Sequence, residues 1–144
     1  MSSRTDIINA LVVKLNLIDG NAPYQVNIFN NAYPKLRFWD EVQDFPSIYV
    51  TASSETREYL PNFKWGYLNV SIKVYCRGEY SADELDNLLQ DVEYVIDQNR
   101  NLVYDSIRLY DTTEILITSI STDDGLLVPY AVGEINLQVR YEIQ

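Results

Sequence analysis

The chain of 144 residues contains no histidine, a single cysteine (Cys76), five glycines and five prolines. Without histidine there is no Ser-His-Asp or Cys-His catalysis, and the commonest general base and metal ligand are both missing. One cysteine permits neither an internal disulfide nor a zinc cluster. The glycines stand in no GxGxxG or GxxxxGK spacing, so no phosphate cradle is expected. No apolar run approaches the roughly 18 residues needed to span a bilayer, so no membrane partner is expected. The opening residues Met1 to Asp6 lack a positive segment followed by an apolar one, so no secretory signal is expected and synthesis inside a cell is. Basic residues are scarce too. Eleven Lys and Arg stand against 21 Asp and Glu, for a formal charge of −10. A free nucleic-acid binder carries the opposite sign. This acidity argues against gripping DNA or an anionic membrane, yet it suits a path along which DNA slides.

Apolar residues are plentiful, at 47 %, with 22 % charged. A chain of this length buries roughly two thirds of its unfolded surface, enough for a core without metals or crosslinks. It contains no repeat, linker or low-complexity tract, so residues 1–144 are expected to form one domain. Twelve tyrosines form a heavy aromatic load. Tyrosine favours strands, and it also favours protein contacts.

Ile7, Ile8, Leu11, Val12 and Leu15 recur at helical spacing, predicting a helix over 4–16 with Ser3 and Asp6 as its capping pair. Tyr24, Val26 and Ile28 suggest a short strand inside the otherwise irregular 21–44, and Leu36 to Asp40 read as extended. Phe45 to Ala52 predicts a strand. Residues 53–66 read as a long, partly extended hairpin arm carrying Tyr59, Phe63 and Trp65. Over 67–77 the period is strictly two, with Leu68, Val70, Ile72, Val74 and Cys76 on the dry face. Cys76 is therefore read as a small core residue. A second helix is predicted over 82–98, with Ser81 as N-cap, Glu84 completing the box and Tyr80 and Leu85 as a hydrophobic staple. Its buried stripe is Leu85, Leu88, Leu89, Val92 and Ile96; Asp83, Asp86, Gln90, Asp91 and Asp97 are assigned to the outer face. Thr113 to Ser121 alternates less cleanly and reads as apolar on both faces. After the connection 122–131, residues 134–142 alternate well. The resulting expectation is α+β: a mostly antiparallel sheet with two amphipathic helices packed on one face and a polar, aromatic second face.

For chemistry, the best candidates are Asp123 and Asp124, with Glu134 or Asp111. Paired carboxylates serve acid–base work or hold Mg²⁺ or Ca²⁺, so a divalent-metal hydrolase is one reading. Carboxylates in a glycine-containing turn also arise for local hydrogen-bonding reasons. Trp39 and Trp65 can stack on a ligand, but as aromatics they serve equally in a core or an interface.

Three stretches resemble the tail terminator (tail completion) proteins of long-tailed bacteriophages. They are FWDEVQDFPSIYVTASSETREYLP (38–61), WGYLNVSIKVYCRGEYSADELDNLLQDVEYVID (65–97) and ITSISTDDGLLVPYAVGEINLQVRYE (117–142). Residues 16–35 carry no such likeness. The resemblance implies a tail-tube-type domain closing into a hexameric ring, without catalysis, metal or cofactor. Its partners would be further copies of itself, the tail tube protein, the head connector or neck protein, and a sheath protein if the tail is contractile. Double-stranded DNA would pass through the bore without specific binding. The protein would reside in the virion at the head-proximal end of the tail, and in the host cytoplasm during assembly. A head–tail connector or head-completion component is the nearest alternative. Trp39, Arg57, Tyr59, Phe63, Trp65, Asp123, Asp124 and Tyr130 are the expected subunit or partner contacts, with Arg57, Arg77 and Arg140 as ion-pair candidates for the two aspartates. Acidic side chains of the wet face or of the 121–125 loop are expected along the bore, where like charge repels phosphates.

Overall fold

Leu68, Val70, Ile72, Val74 and Cys76 are all buried, as their period-two spacing requires, and they lie at the centre of one six-stranded sheet. The computed structural model describes residues 2–144. In chain order the elements are α1 (Ser3–Leu15), β1 (Ala32–Tyr33), a 3-10 turn (Trp39–Glu41), β2 (Ser47–Tyr59), β3 (Lys64–Arg77), α2 (Ser81–Gln98), β4 (Val103–Asp105), β5 (Tyr110–Thr122) and β6 (Tyr130–Ile143). The strand order is β1-β2-β3-β6-β5-β4, with only the short β1–β2 pair parallel. The end of the sheet where β6 begins is called upper here, and the end where it finishes is called lower.

Both helices pack on one face, α1 over β2 and β4 and α2 over β3, β6 and β5. The apolar stripes predicted for them are buried. Gly133 of β6 permits the close approach of α2: a Cβ there would lie 3.1 Å from methyl carbons of Leu85 and Leu89. On the lower half, a Cβ on Gly66 would lie 2.8 Å from the Tyr141 ring, which fills that space instead.

Several local details differ from the sequence reading. The N-cap of α1 is Ser2, whose hydroxyl accepts from the Thr5 amide at 3.2 Å, so the cap sits one residue earlier than Ser3. Helix α2 starts at Ser81 without a side-chain cap; Tyr80 is 73 % exposed and does not staple against buried Leu85. Asp91, assigned to the outer face, is buried instead. Both of its oxygens accept from the Gln25 amide at 3.0 Å, and Oδ2 also accepts from the Val26 amide at 2.9 Å. Those bonds replace the strand expected at 24–28. That segment is a loop whose Val26 and Ile28 still reach the core.

The predicted arm at 53–66 is a paired ladder with one bulge between Ala52 and Glu55. Strands β2 and β3 pair down to Tyr59 opposite Lys64, leaving only 60–63 as the turn. The weak alternation of 113–121 has a geometric cause. Register shifts at 112/114 and 117/119 each insert an extra residue in β5 and reset which side chains face the helices. Residues 33–46 cross to the other face of the sheet. There Val42, Tyr49 and Tyr75 form a small second core with Tyr33, Phe45 and Val132. Tyr75 donates to the Arg37 carbonyl at 2.6 Å and ties this strap down.

Candidate assembly surface

Below the strap, the face opposite the helices is uncovered. Side chains that pair across it follow from the register. Thr51, Ser71, Asn136 and Ser119 form one row, and Asn69 and Gln138 lie in the next with Leu116. The amides and hydroxyls bond to one another: Asn69 donates to Ser54 at 3.0 Å and Asn136 to Ser119 at 3.0 Å. Charges above and below are matched. Lys73 lies 3.4 Å from Glu134, which also accepts from the Ser71 hydroxyl at 2.8 Å, and Arg100 lies 2.7 Å from Glu114. The guanidinium of Arg100 accordingly holds the Glu114 carboxyl below its usual range. This face is therefore mostly uncharged. Exposed carboxylates without a cation on their own element lie on α2, at Asp83, Asp86 and Asp97.

The residues singled out from the sequence fall into two groups at opposite ends. At the upper end, the Trp39 and Tyr130 rings meet at 5.4 Å, Phe45 joins Tyr130 at 5.8 Å, and the Arg77 guanidinium stacks 5.3 Å over Tyr130. Asp123 and Asp124 occupy the β5–β6 turn beside this group. Asp123 spends both oxygens on its own loop, accepting from the Leu127 amide at 3.1 Å and the Val132 amide at 3.2 Å. Asp124 takes a positive φ of 56° and its amide donates to Thr122 Oγ1. These are the bonds of a shaped turn, and they tie the Asp123 carboxylate to its own loop. Among the described residues, no group of three or more metal-ligating side chains comes together.

At the lower end, Phe63 meets Trp65 edge-on at 5.5 Å, and Lys64 lies over the exposed Tyr59 ring. Arg140 stacks 5.1 Å over Trp65. Arg57 binds Glu55 at 2.9 Å; Glu55 also accepts from the Tyr141 hydroxyl at 2.5 Å and lies 3.5 Å from Arg4 of α1. Each of the three arginines considered as partners for Asp123 and Asp124 has a contact within its own subunit: Arg57 with Glu55, Arg77 with Tyr130 and Arg140 with Trp65. Sequence reasoning missed Phe45 and Asp91. For Asp91 a signal existed, since it falls at helical spacing between Leu88 and Val95, inside the apolar stripe.

A family model described as Bacteriophage Tail Tube Terminator Protein matches residues 1–144. The chain belongs to that family. Among curated proteins, the tail tube terminator protein of Escherichia phage T5 is 36 % identical over 153 residues, covering 99 % of this chain and 95 % of the relative. Among solved structures, a chain of the native gene transfer agent virion superposes with a TM-score of 0.63 at 10 % identity, covering 95 % of each chain. That likeness concerns the fold, a two-helix, mostly antiparallel α+β sheet. The family fits the sequence resemblance and makes this a structural tail terminator protein.

Proposed function

We propose that the chain caps the head-proximal end of the phage tail tube as a closed ring of six subunits. The ring stops tube polymerisation and offers its far side to the head connector, and DNA leaves through its bore. The family match along the whole chain carries this reading. The subunit's shape supports it, with helices on one side, a polar open face on the other and aromatic groups at both ends. In this arrangement the upper group (Trp39, Tyr130) with the Asp123–Asp124 turn, and the lower group (Arg57, Tyr59, Phe63, Trp65), form the two rims and contact neighbouring subunits or the tube and head. The open face turns to the bore. Its hydroxyls, amides and matched charges leave few free cations for DNA phosphates, and the ring's overall negative charge opposes adhesion. The role needs no catalysis or cofactor. A sheath protein joins the partners if the tail is contractile. Assembly takes place in the host cytoplasm, and the finished ring stays in the virion.

Solution mass, measured alone and with isolated tail tubes or filled heads, tests the reading. The expected result is a species of about six times 16.7 kDa that binds tube ends. A 16.7 kDa monomer that ignores tubes at high concentration would overturn it. Binding to heads but not to tubes would make the protein a head-completion component instead.

A further inference from the structure

Two aromatic rings at the upper end lie bare in solvent and share one groove. Phe29 is 68 % exposed and Tyr80 73 %. Both line a groove of about 450 Å³ whose walls include Asn27, Pro46, Asp83, Glu84 and Asn87. Neither ring packs into the two cores. Exposed aromatics beside a groove add nothing to folding, and they are the side chains that protein contacts favour.

The walls are fixed before anything binds. Phe29 takes a left-handed φ of 54°, and its amide donates to the Asn27 side chain at 2.8 Å. Asp91 anchors the Gln25 and Val26 amides just before it. Tyr80 leads directly into α2, and its carbonyl accepts from the Glu84 amide at 3.0 Å. A groove held this way loses little entropy when it is filled.

Charge selects the occupant. Among the described residues, neither Asp83 nor Glu84 has an ion-pair partner. A neighbouring hollow of about 260 Å³ at the start of α2 adds Asp86, Asp123 and Asp124, and no lysine or arginine lines either cavity. DNA, or a second rim of the same kind, would be repelled. A lysine or arginine side chain would be held, its cation over an aromatic ring and against a carboxylate. The Asn27 and Asn87 amides can bond to an extended backbone beside it. Six of the eleven basic residues (Arg4, Arg57, Lys64, Arg100, Arg108 and Arg140) sit at the lower end, so a basic partner is directed to the upper one.

We propose that this groove receives a basic, extended segment of the protein on the head side, with a lysine or arginine seated among Phe29, Tyr80 and the Asp83–Glu84 pair. This rests on the ring reading above and names the surface through which the cap meets the head. In that reading the head meets a cap that is already complete, so the two bodies find each other by diffusion. Opposite charges speed such an encounter, and the acidic upper end is the one equipped for it.

Joining of capped tubes to isolated filled heads, counted by electron microscopy, provides the test. With the unmodified protein, joining should slow as salt is raised. Phe29→Gly suits the left-handed φ and removes only the ring. It should slow joining by about tenfold or more, while ring formation and tube capping stay unchanged. Asp83→Asn should slow joining less and weaken its salt dependence. In a second experiment, Tyr80→Cys is labelled with a benzophenone maleimide and illuminated in the joined particle. The native Cys76 is fully buried and stays silent. A crosslink to a head protein is expected. Should Phe29→Gly fail to fold, that label decides. If Phe29→Gly joins heads at the unmodified rate, or loses tube capping instead, the groove assignment is wrong while the ring reading stands. The same holds if no crosslink to a head protein forms. If the unmodified chain forms no ring on tubes, both fall.

Discussion

The two faces of the sheet follow different rules. The helix-covered face is built mainly from Ile, Leu and Val, in strict alternation on β3 and β6, closed by two helices and left with almost no polar group. The opposite face has short hydroxyl and amide side chains in its middle rows, matched ion pairs around them and a strap of aromatics over its upper part. The first face determines whether the chain folds. Below the strap, the second contributes little to stability, and its composition there makes sense in relation to something outside the subunit. A surface that small polar residues fill this evenly costs little to expose, and it also offers a passing polyanion few charges to hold.

Substitutions can sharpen or break that contrast. Ile72→Ala, in the middle of the covered face, should cost about 2–5 kcal/mol by transfer loss plus cavity, read as a lowered denaturation midpoint. Asp91→Ala strips the partner from the buried Val26 amide and from the half-buried Gln25 amide and should cost about 2 kcal/mol; hydrogen exchange at Gln25 and Val26 would accelerate most. The strap can be tested by alkali. Burial pushes the Tyr75 hydroxyl up to about 12, whereas an unfolded tyrosine ionises near 10. Between those values the unfolded state binds fewer protons, so stability falls as pH rises, by up to ~1.4 kcal/mol per unit. Tyr75→Phe should flatten that part of the pH–stability curve. Ser71→Ala, on the open face, should change stability by less than about 0.5 kcal/mol. A large loss there would mean that the open face is structural after all, and the contrast would fail.

Much of the covered face was legible because period two and period 3.6 act over many residues at once: β3, the regular part of β6 and both helix stripes were placed correctly. Cys76 was rightly read as core. Legibility failed where one residue outweighs the pattern. Extra residues in β5 scrambled an alternation that is regular on each side of them. Ser2 rather than Ser3 caps α1, since either hydroxyl suits the local sequence. The 16–46 segment is held by long-range partners, Asp91 for its first part and Tyr75 for its second, and no local periodicity encodes those. For the candidate surface, the sequence supplied aromatics and arginines as expected contacts but not their partition between two ends. It also could not show that Asp123 is consumed by its own turn.

The carboxylate of Asp91 lies 66 positions downstream of the Gln25 amide it serves. The loop around Gln25 and Val26 therefore lacks its anchor until the second helix has formed. During synthesis that loop leaves the ribosome without its anchor and waits for the second helix to follow. A chain cut off before the second helix would thus keep its first helix sequence but lose the fixed path of the loop after it, and with that loop the route to the strap across the sheet.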